Sequence, residues 1–297
     1  MTKKGEFVSW AYLPNKVNRG IMDKLYFLTA GVPLRAGTKG YGRGFEIHDE
    51  MGLDGLELEF VHGVRISDKS RDAVADAVKN SGKIITAHAP FYVNLNAREE
   101  EKVEASVQRI IETAMVTEEL GGYSITFHAG FYLSQDVEMV YGKIRDQIKV
   151  ITDSLAKAGN KIWVRPETTG KATQWGDLNE IIRLSKEFDT VLPCVDFSHL
   201  HARYNGFWNT YDEFASIFEQ IGNELGQNAL DNFHAHIAGI EYSAKGEKKH
   251  LNLEESDFNY RDLLKAFKDF GVKGAVVCES PNIEDDAKLL KDYYLSL

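Results

Sequence analysis

Histidines and carboxylates stand at the ends of six short apolar runs in this chain: IITAH at 84–88, ITFH at 125–128, IWVRPE at 162–167, VLPCVD at 191–196, FHAHI at 233–237 and AVVCE at 275–279. Imidazole nitrogen and carboxylate oxygen, without thiolate, are the usual ligands of zinc, manganese or iron. One such ending carries little weight. Six of them, spaced roughly one strand–helix unit apart, describe a metal cluster where buried strands give way to loops. The six candidates are His88, His128, Glu167, Asp196, His236 and Glu279. A carboxylate that bridges two divalent ions holds them about 3.5–4 Å apart, the spacing that stabilises the attacking and leaving oxygens of a phosphodiester.

Positioning such residues requires elements that all end on one face. Strand-like runs fall at 25–31, 55–60, 84–88, 124–128, 162–167, 191–196, 232–237 and 274–279. Helical spacing fills the intervals at 42–51, 68–80, 98–120, 137–158, 178–188, 211–221 and 260–270, and a last helix covers 283–295. Gly159-Asn160 reads as a helix stop. Eight strand–helix units without a Pro/Gly/Ser-rich linker predict one α/β domain, a (β/α)8 TIM barrel over 25–297, with a doubly wound sheet as the rival. Residues 1–24, containing Pro14 and Gly20, read as an extension or cap.

Composition sets wider limits. A chain of 297 residues with 43% hydrophobic content can bury one large core. No apolar run approaches the roughly eighteen residues that cross a bilayer, and the first residues lack the apolar stretch of a secretion signal. Cys194 and Cys278 lie inside strand-like runs, which predicts reduced core thiols in a cytoplasmic protein. The formal charge of −10 argues mildly against a broad nucleic-acid surface, although bound cations would cancel part of it.

Each residue also has a plainer use. His48 and His62 read as hydrogen-bonded loop residues. Glu57 and Glu59 alternate on the second strand and either line the barrel or are solvated. Asp196 or Glu279 alone could cap the helix that follows. His234 and His236 share a strand face; His236, nearer the end, is the ligand candidate, with His234 deeper in the core or against a ligand. His199 lies just past Asp196, His201 has the weaker claim, and His250 taken alone is a surface residue.

In this order the motifs HAPFYVNL (88–95), FHAGF (127–131), ETTGK (167–171), VDFSH (195–199), HIAG (236–239), KKH (248–250) and ESP (279–281) resemble the endonuclease IV family of apurinic/apyrimidinic endonucleases, within the xylose-isomerase-like barrel superfamily. The resemblance covers about residues 25–295. It implies three zinc ions in the barrel mouth and cleavage of DNA on the 5′ side of abasic sites by a metal-bound hydroxide. It assigns His88, His128 and Glu167 to a first ion. Glu167 bridges to a second held by Asp196, His236 and Glu279, and His199 and His250 belong to a third. The family places an aspartate two residues before that last histidine, where this chain has Lys248. An ammonium has no lone pair to offer, so two zinc sites are expected to fill tightly and the third loosely, with Mn2+ or Mg2+ as other candidates.

Under this reading Glu167 and Glu279 are the catalytic carboxylates, Glu279 also orienting the nucleophile. Tyr92, Asn94, Lys171 and Lys248 contact substrate. Phe91, Phe131, Tyr132, Tyr204 and Trp208 join Tyr92 on loops that could wedge into damaged duplex DNA, although more than half of such aromatics are expected only to pack the loops. An abasic nucleotide is easily extruded because it lacks base stacking. The alternative is a sugar isomerase or epimerase using one ion held by Glu167, Asp196, His236 and Glu279. A non-catalytic metal-holding barrel ranks last.

Overall fold

The computed structural model describes residues 22–297, so the expectation for residues 1–24 lies almost wholly outside it. Eight parallel strands form one sheet: β1 (Leu25–Ala30), β2 (Gly55–Glu59), β3 (Ile84–His88), β4 (Ser124–Phe127), β5 (Trp163–Pro166), β6 (Val195–Asp196), β7 (Phe233–Ile237) and β8 (Gly274–Cys278). Each pairs with its neighbours in chain order, and β8 returns to β1 in register Leu25 with Gly274 through Thr29 with Cys278. Bridges from Val164 to Val191 and from Glu167 to Cys194 join β5 to the run leading into β6 and close the circle. The (β/α)8 expectation holds and the doubly wound sheet is excluded.

These segments become strands because both of their faces are covered. β4, β7 and β8 are buried at every residue, which suits parallel strands walled in by helices. The helices are α1 (Gly40–Met51), α2 (Asp68–Ser81), α3 (Glu100–Glu119), α4 (Val137–Lys157), α5 (Leu178–Glu187), α6 (Phe197–Arg203), α7 (Tyr211–Leu225), α8 (Gln227–Leu230), α9 (Tyr260–Asp269) and α10 (Glu284–Ser296). Local signals fix their ends. Asp177 with Glu180, and Thr210 with Glu213, form capping boxes at α5 and α7. Beyond α4, Gly159 takes φ 73°, the left-handed turn that only glycine enters without strain.

Three features differ from the sequence expectation. The sixth strand is regular only at Val195–Asp196, because Pro193 has no N–H to give to a ladder. The short helix α6 follows it directly. A hairpin of Gly239–Ser243 and Gly246–Leu251 rises from the end of β7, where a polar loop was expected around His250. Among the described residues no helix is long and apolar enough to cross a membrane. Cys194 and Cys278 are free and buried, and burial pushes both thiols up to about 12.

Candidate metal centre

The strand ends bring the six candidates together. His88 closes β3, His128 and Glu167 follow β4 and β5, Asp196 closes β6, His236 sits one residue from the end of β7, and Glu279 follows β8. Asp196 and His236 are level across the β6–β7 pair. His199, in the first turn of α6, and His250, on the hairpin, complete the ring.

Three groups of ligand-type atoms result, each with its atoms within 4.8 Å of one another: His88, His128 and Glu167; Glu167, Asp196, His236 and Glu279; and Asp196, His199 and His250. Glu167 is almost fully buried at their junction. Its Oε2 lies 3.1 Å from His88 Nε2, and its Oε1 lies 3.2 Å from His128 Nε2 and 3.5 Å from His236 Nδ1. Nitrogen and oxygen ligands about 2.0–2.1 Å from a tetrahedral ion are separated by roughly 3.3–3.4 Å, so these contacts have the size of coordination edges.

Ring orientation is set from behind. Nδ1 of His88 donates to the Ala89 carbonyl at 2.7 Å, which leaves Nε2 facing Glu167, where a metal ion could take the place of its proton. On His236 the choice is reversed: Glu57 Oε1 lies 2.9 Å from Nε2, which is tolerable only for an N–H, so Nδ1 faces the cluster, 3.3 Å from Glu279 Oε1. Glu57 also accepts from Thr86 Oγ1 at 2.7 Å and lies 3.0 Å from His234 Nε2. His234 in turn meets Ser124 Oγ, which accepts from the buried Arg165 Nε. Such outer partners are what hold a ligating imidazole in one tautomer.

Asp196 divides its two oxygens. Oδ1 accepts from the His199 backbone N–H at 2.7 Å and caps α6. Oδ2, Glu167 Oε1 and His236 Nδ1 are buried without a hydrogen-bond partner. Three orphaned ligand-type atoms at the centre of one cluster are what a divalent cation would satisfy, so the donor set fits a metal.

The electrostatics point the same way. Burial disfavours the imidazolium of His88 and His199, but Glu167 beside the first, and Asp196 with Glu167 beside the second, overcome this and raise both to about 10. Burial raises the Asp196 carboxyl to about 7 against the pull of His199. For Glu279 burial is outweighed by His236, which holds the carboxyl at about 2. Buried carboxylates thus demand positive charge here, as protons or as a metal ion.

The model of the xylose isomerase-like TIM barrel family matches residues 45–293. The chain belongs to that family. A relative in Methanocaldococcus jannaschii, an uncharacterized protein, is 46% identical over 283 residues, covering 95% of this chain and all of its own length. A probable endonuclease 4 of Mycoplasma pneumoniae is 23% identical over 210 residues, 69% of this chain and 70% of that one. Among solved structures, a D-tagatose 3-epimerase-like protein superposes with TM-score 0.70 at 20% identity over 91% of this chain and 97% of its own, a likeness of fold.

Within this xylose isomerase-like barrel the other candidates lie as follows. His62 is exposed on a turn. His48 is hydrogen-bonded, but on α1 and fully buried, with Nε2 3.0 Å from Thr29 Oγ1. His201 turns to Phe207 and Asp257. Tyr92 is 39% exposed under the Arg109 guanidinium, 4.7 Å from its ring, and Phe91 and Phe131 are exposed beside it. Asn94 directs Oδ1 to the Asn96 backbone N–H, shaping its own loop. Lys171 is half-buried next to Gly170. Lys248 Nζ bonds Glu241 at 2.7 Å on the hairpin's exposed side, away from the histidines. Glu57 resolves as barrel-lining rather than solvated, and Glu59 lies above it near Glu279, where burial and the Glu57 charge raise its carboxyl to about 8. Glu247, the sequence's alternative to Lys248 for completing the third site, lies 3.7 Å from His199 Nε2; spacing along a regular strand gives no sign of how it gets there.

Proposed function

We propose that the protein is a divalent-metal-dependent phosphodiesterase that cuts duplex DNA on the 5′ side of abasic sites. The observation that carries this reading is that Glu167 belongs to two ligand groups at once, one with His88 and His128 and one with Asp196, His236 and Glu279. A carboxylate common to two groups suits a site for more than one ion, zinc being the first candidate and Mn2+ or Mg2+ the others.

Ions held there would supply Lewis acidity and a water acidified towards neutral pH. The chain's own residues do the rest. Glu167 fixes the spacing of the two sets of ligands. Glu279, at the rim of the inner group, orients the attacking water as well as binding. Lys171 faces substrate phosphate, while Phe91, Tyr92 and Phe131 on the loops after β3 and β4 fill the gap left by a missing base and widen the duplex. The wedge is supported by the exposure of these three rings.

A sugar isomerase would need only Glu167, Asp196, His236 and Glu279. His88, His128, His199 and His250 have no task in a one-ion site, yet they crowd the same carboxylates. The test is incision of a synthetic abasic duplex by metal-replete protein beside its Glu279→Gln variant. Incision lost in the variant, with ions still held by the His88 group, is the expected result. Absence of incision by the replete wild type overturns the reading.

A further inference from the structure

We infer that Glu247 completes a third cation site with His199 and His250, brought there by a β-bulge at Lys248. The inference rests on the reading of the neighbouring cluster as a divalent-metal centre, and on nothing about its substrate.

The hairpin pairs Glu241 with Lys249 but Tyr242 with Glu247, so Lys248 is an extra residue with no partner of its own. In a regular strand Glu247 and His250, three apart, would point to opposite faces. One inserted residue puts them on the same face. The lysines verify the count: Lys248 and Lys249, adjacent in sequence, both reach Glu241, at 2.7 and 3.6 Å. The opposite face turns Glu247 and His250 towards His199.

The imidazoles there are set up as ligands. His199 Nδ1 donates to the Thr168 carbonyl at 3.1 Å and His250 Nδ1 to the Glu279 carbonyl at 3.2 Å. Each neutral ring therefore keeps a lone pair on Nε2, and the two Nε2 atoms face each other at 3.4 Å. Two lone pairs at that distance repel unless a proton or a metal ion lies between them, and roughly 3.3–3.4 Å is also the edge of a tetrahedral zinc site. Glu247 Oε2, 3.7 Å from His199 Nε2, brings the negative charge that Lys248 cannot.

The space for this carboxylate is kept by Gly170, whose carbonyl accepts from the Glu247 N–H at 2.9 Å. A Cβ on Gly170 would lie 2.6 Å from Glu247 Cβ, 2.7 Å from its Oε2 and 3.1 Å from His199 Cδ2. The cradle is open only because residue 170 is glycine.

The experiment counts zinc per chain after gel filtration. It uses the full chain, Glu247→Gln, Glu247→Ala and Gly170→Ala, with chelator competition and anomalous diffraction at the zinc edge. Wild type is expected to hold one ion more than any variant, with a peak between His199 and His250 that the variants lose. The affinity of that last ion should fall at least tenfold while ions at Glu167 stay bound. Thermal melting of each variant identifies any that fail to fold, and Glu247→Gln, which preserves shape, decides if the alanines do. Equal ion count and affinity in wild type and Glu247→Gln overturn the inference. Wild type holding one ion or none overturns the multi-ion centre itself, which separates the two failures.

Discussion

Glu57 Oε1 stands 2.9 Å from Nε2 of His236, both side chains fully buried inside the barrel. The contact decides which imidazole nitrogen faces the other ligand-type side chains at the strand ends.

Replacing Glu57 by alanine should therefore weaken metal retention by roughly 10–100-fold, the usual effect of losing an outer partner of a ligating histidine. Glu57→Gln, which can still accept from Nε2, should lose less. Chelator competition measures this. Wild-type affinity in a folded Glu57→Ala protein would show that His236 needs no orienting carboxylate.

Glu167 is the residue whose loss should be felt by more than one ion. Glu167→Gln removes the shared charge, so zinc content should fall by more than one ion per chain, and affinity should drop beyond the roughly 10–100-fold seen for outer partners. His88→Ala, by contrast, should cost one ion. Elemental analysis on the same preparations distinguishes a shared ligand from a private one.

The loop aromatics make a separable prediction. Phe91 is 64% exposed, so Phe91→Ala and Tyr92→Ala should leave thermal stability and metal content unchanged. Base stacking on an aromatic contributes about 1–3 kcal/mol, which corresponds to a rise of roughly 5–150-fold in KM for abasic duplex. Steady-state kinetics and melting curves check both halves.

Away from the site, His48 should tie stability to pH. Burial, and secondarily the charge of Lys83, lowers its imidazole from 6.5 to about 4, so the folded state holds it neutral while an unfolded chain protonates it near 6.5. Its contribution is fully present above that value and is lost as pH falls towards about 4, on the order of 3 kcal/mol. Denaturant unfolding at several pH values should give a flatter acid limb for His48→Gln than for wild type. Parallel limbs would contradict the assignment.

The barrel was legible because eight strand–helix units fix the architecture, and the ring of ligand-type side chains because six of the strands end on histidines or carboxylates that apolar cores exclude. What stayed hidden depended on contacts between distant segments. His250 looked like a surface residue because its hairpin folds over α6, and no local pattern in GEKKHL reveals that. Asp196 was weighed as a cap or a ligand, and it serves the cap with one oxygen while offering the other to the cluster. Pro193 shortened a strand that its apolar neighbours suggested was regular. Lys248 occupied a ligand's place by counting along the chain, and only the register shift against Glu241 turns it outward and brings Glu247 in.

The most direct test pairs two readings on one sample: zinc per chain, and the ends produced from a duplex carrying a single abasic site. The account predicts at least two ions and a break on the 5′ side of the lesion, leaving a 3′ hydroxyl. One ion per chain with an intact duplex, and interconversion of a ketose by the same preparation, would contradict it.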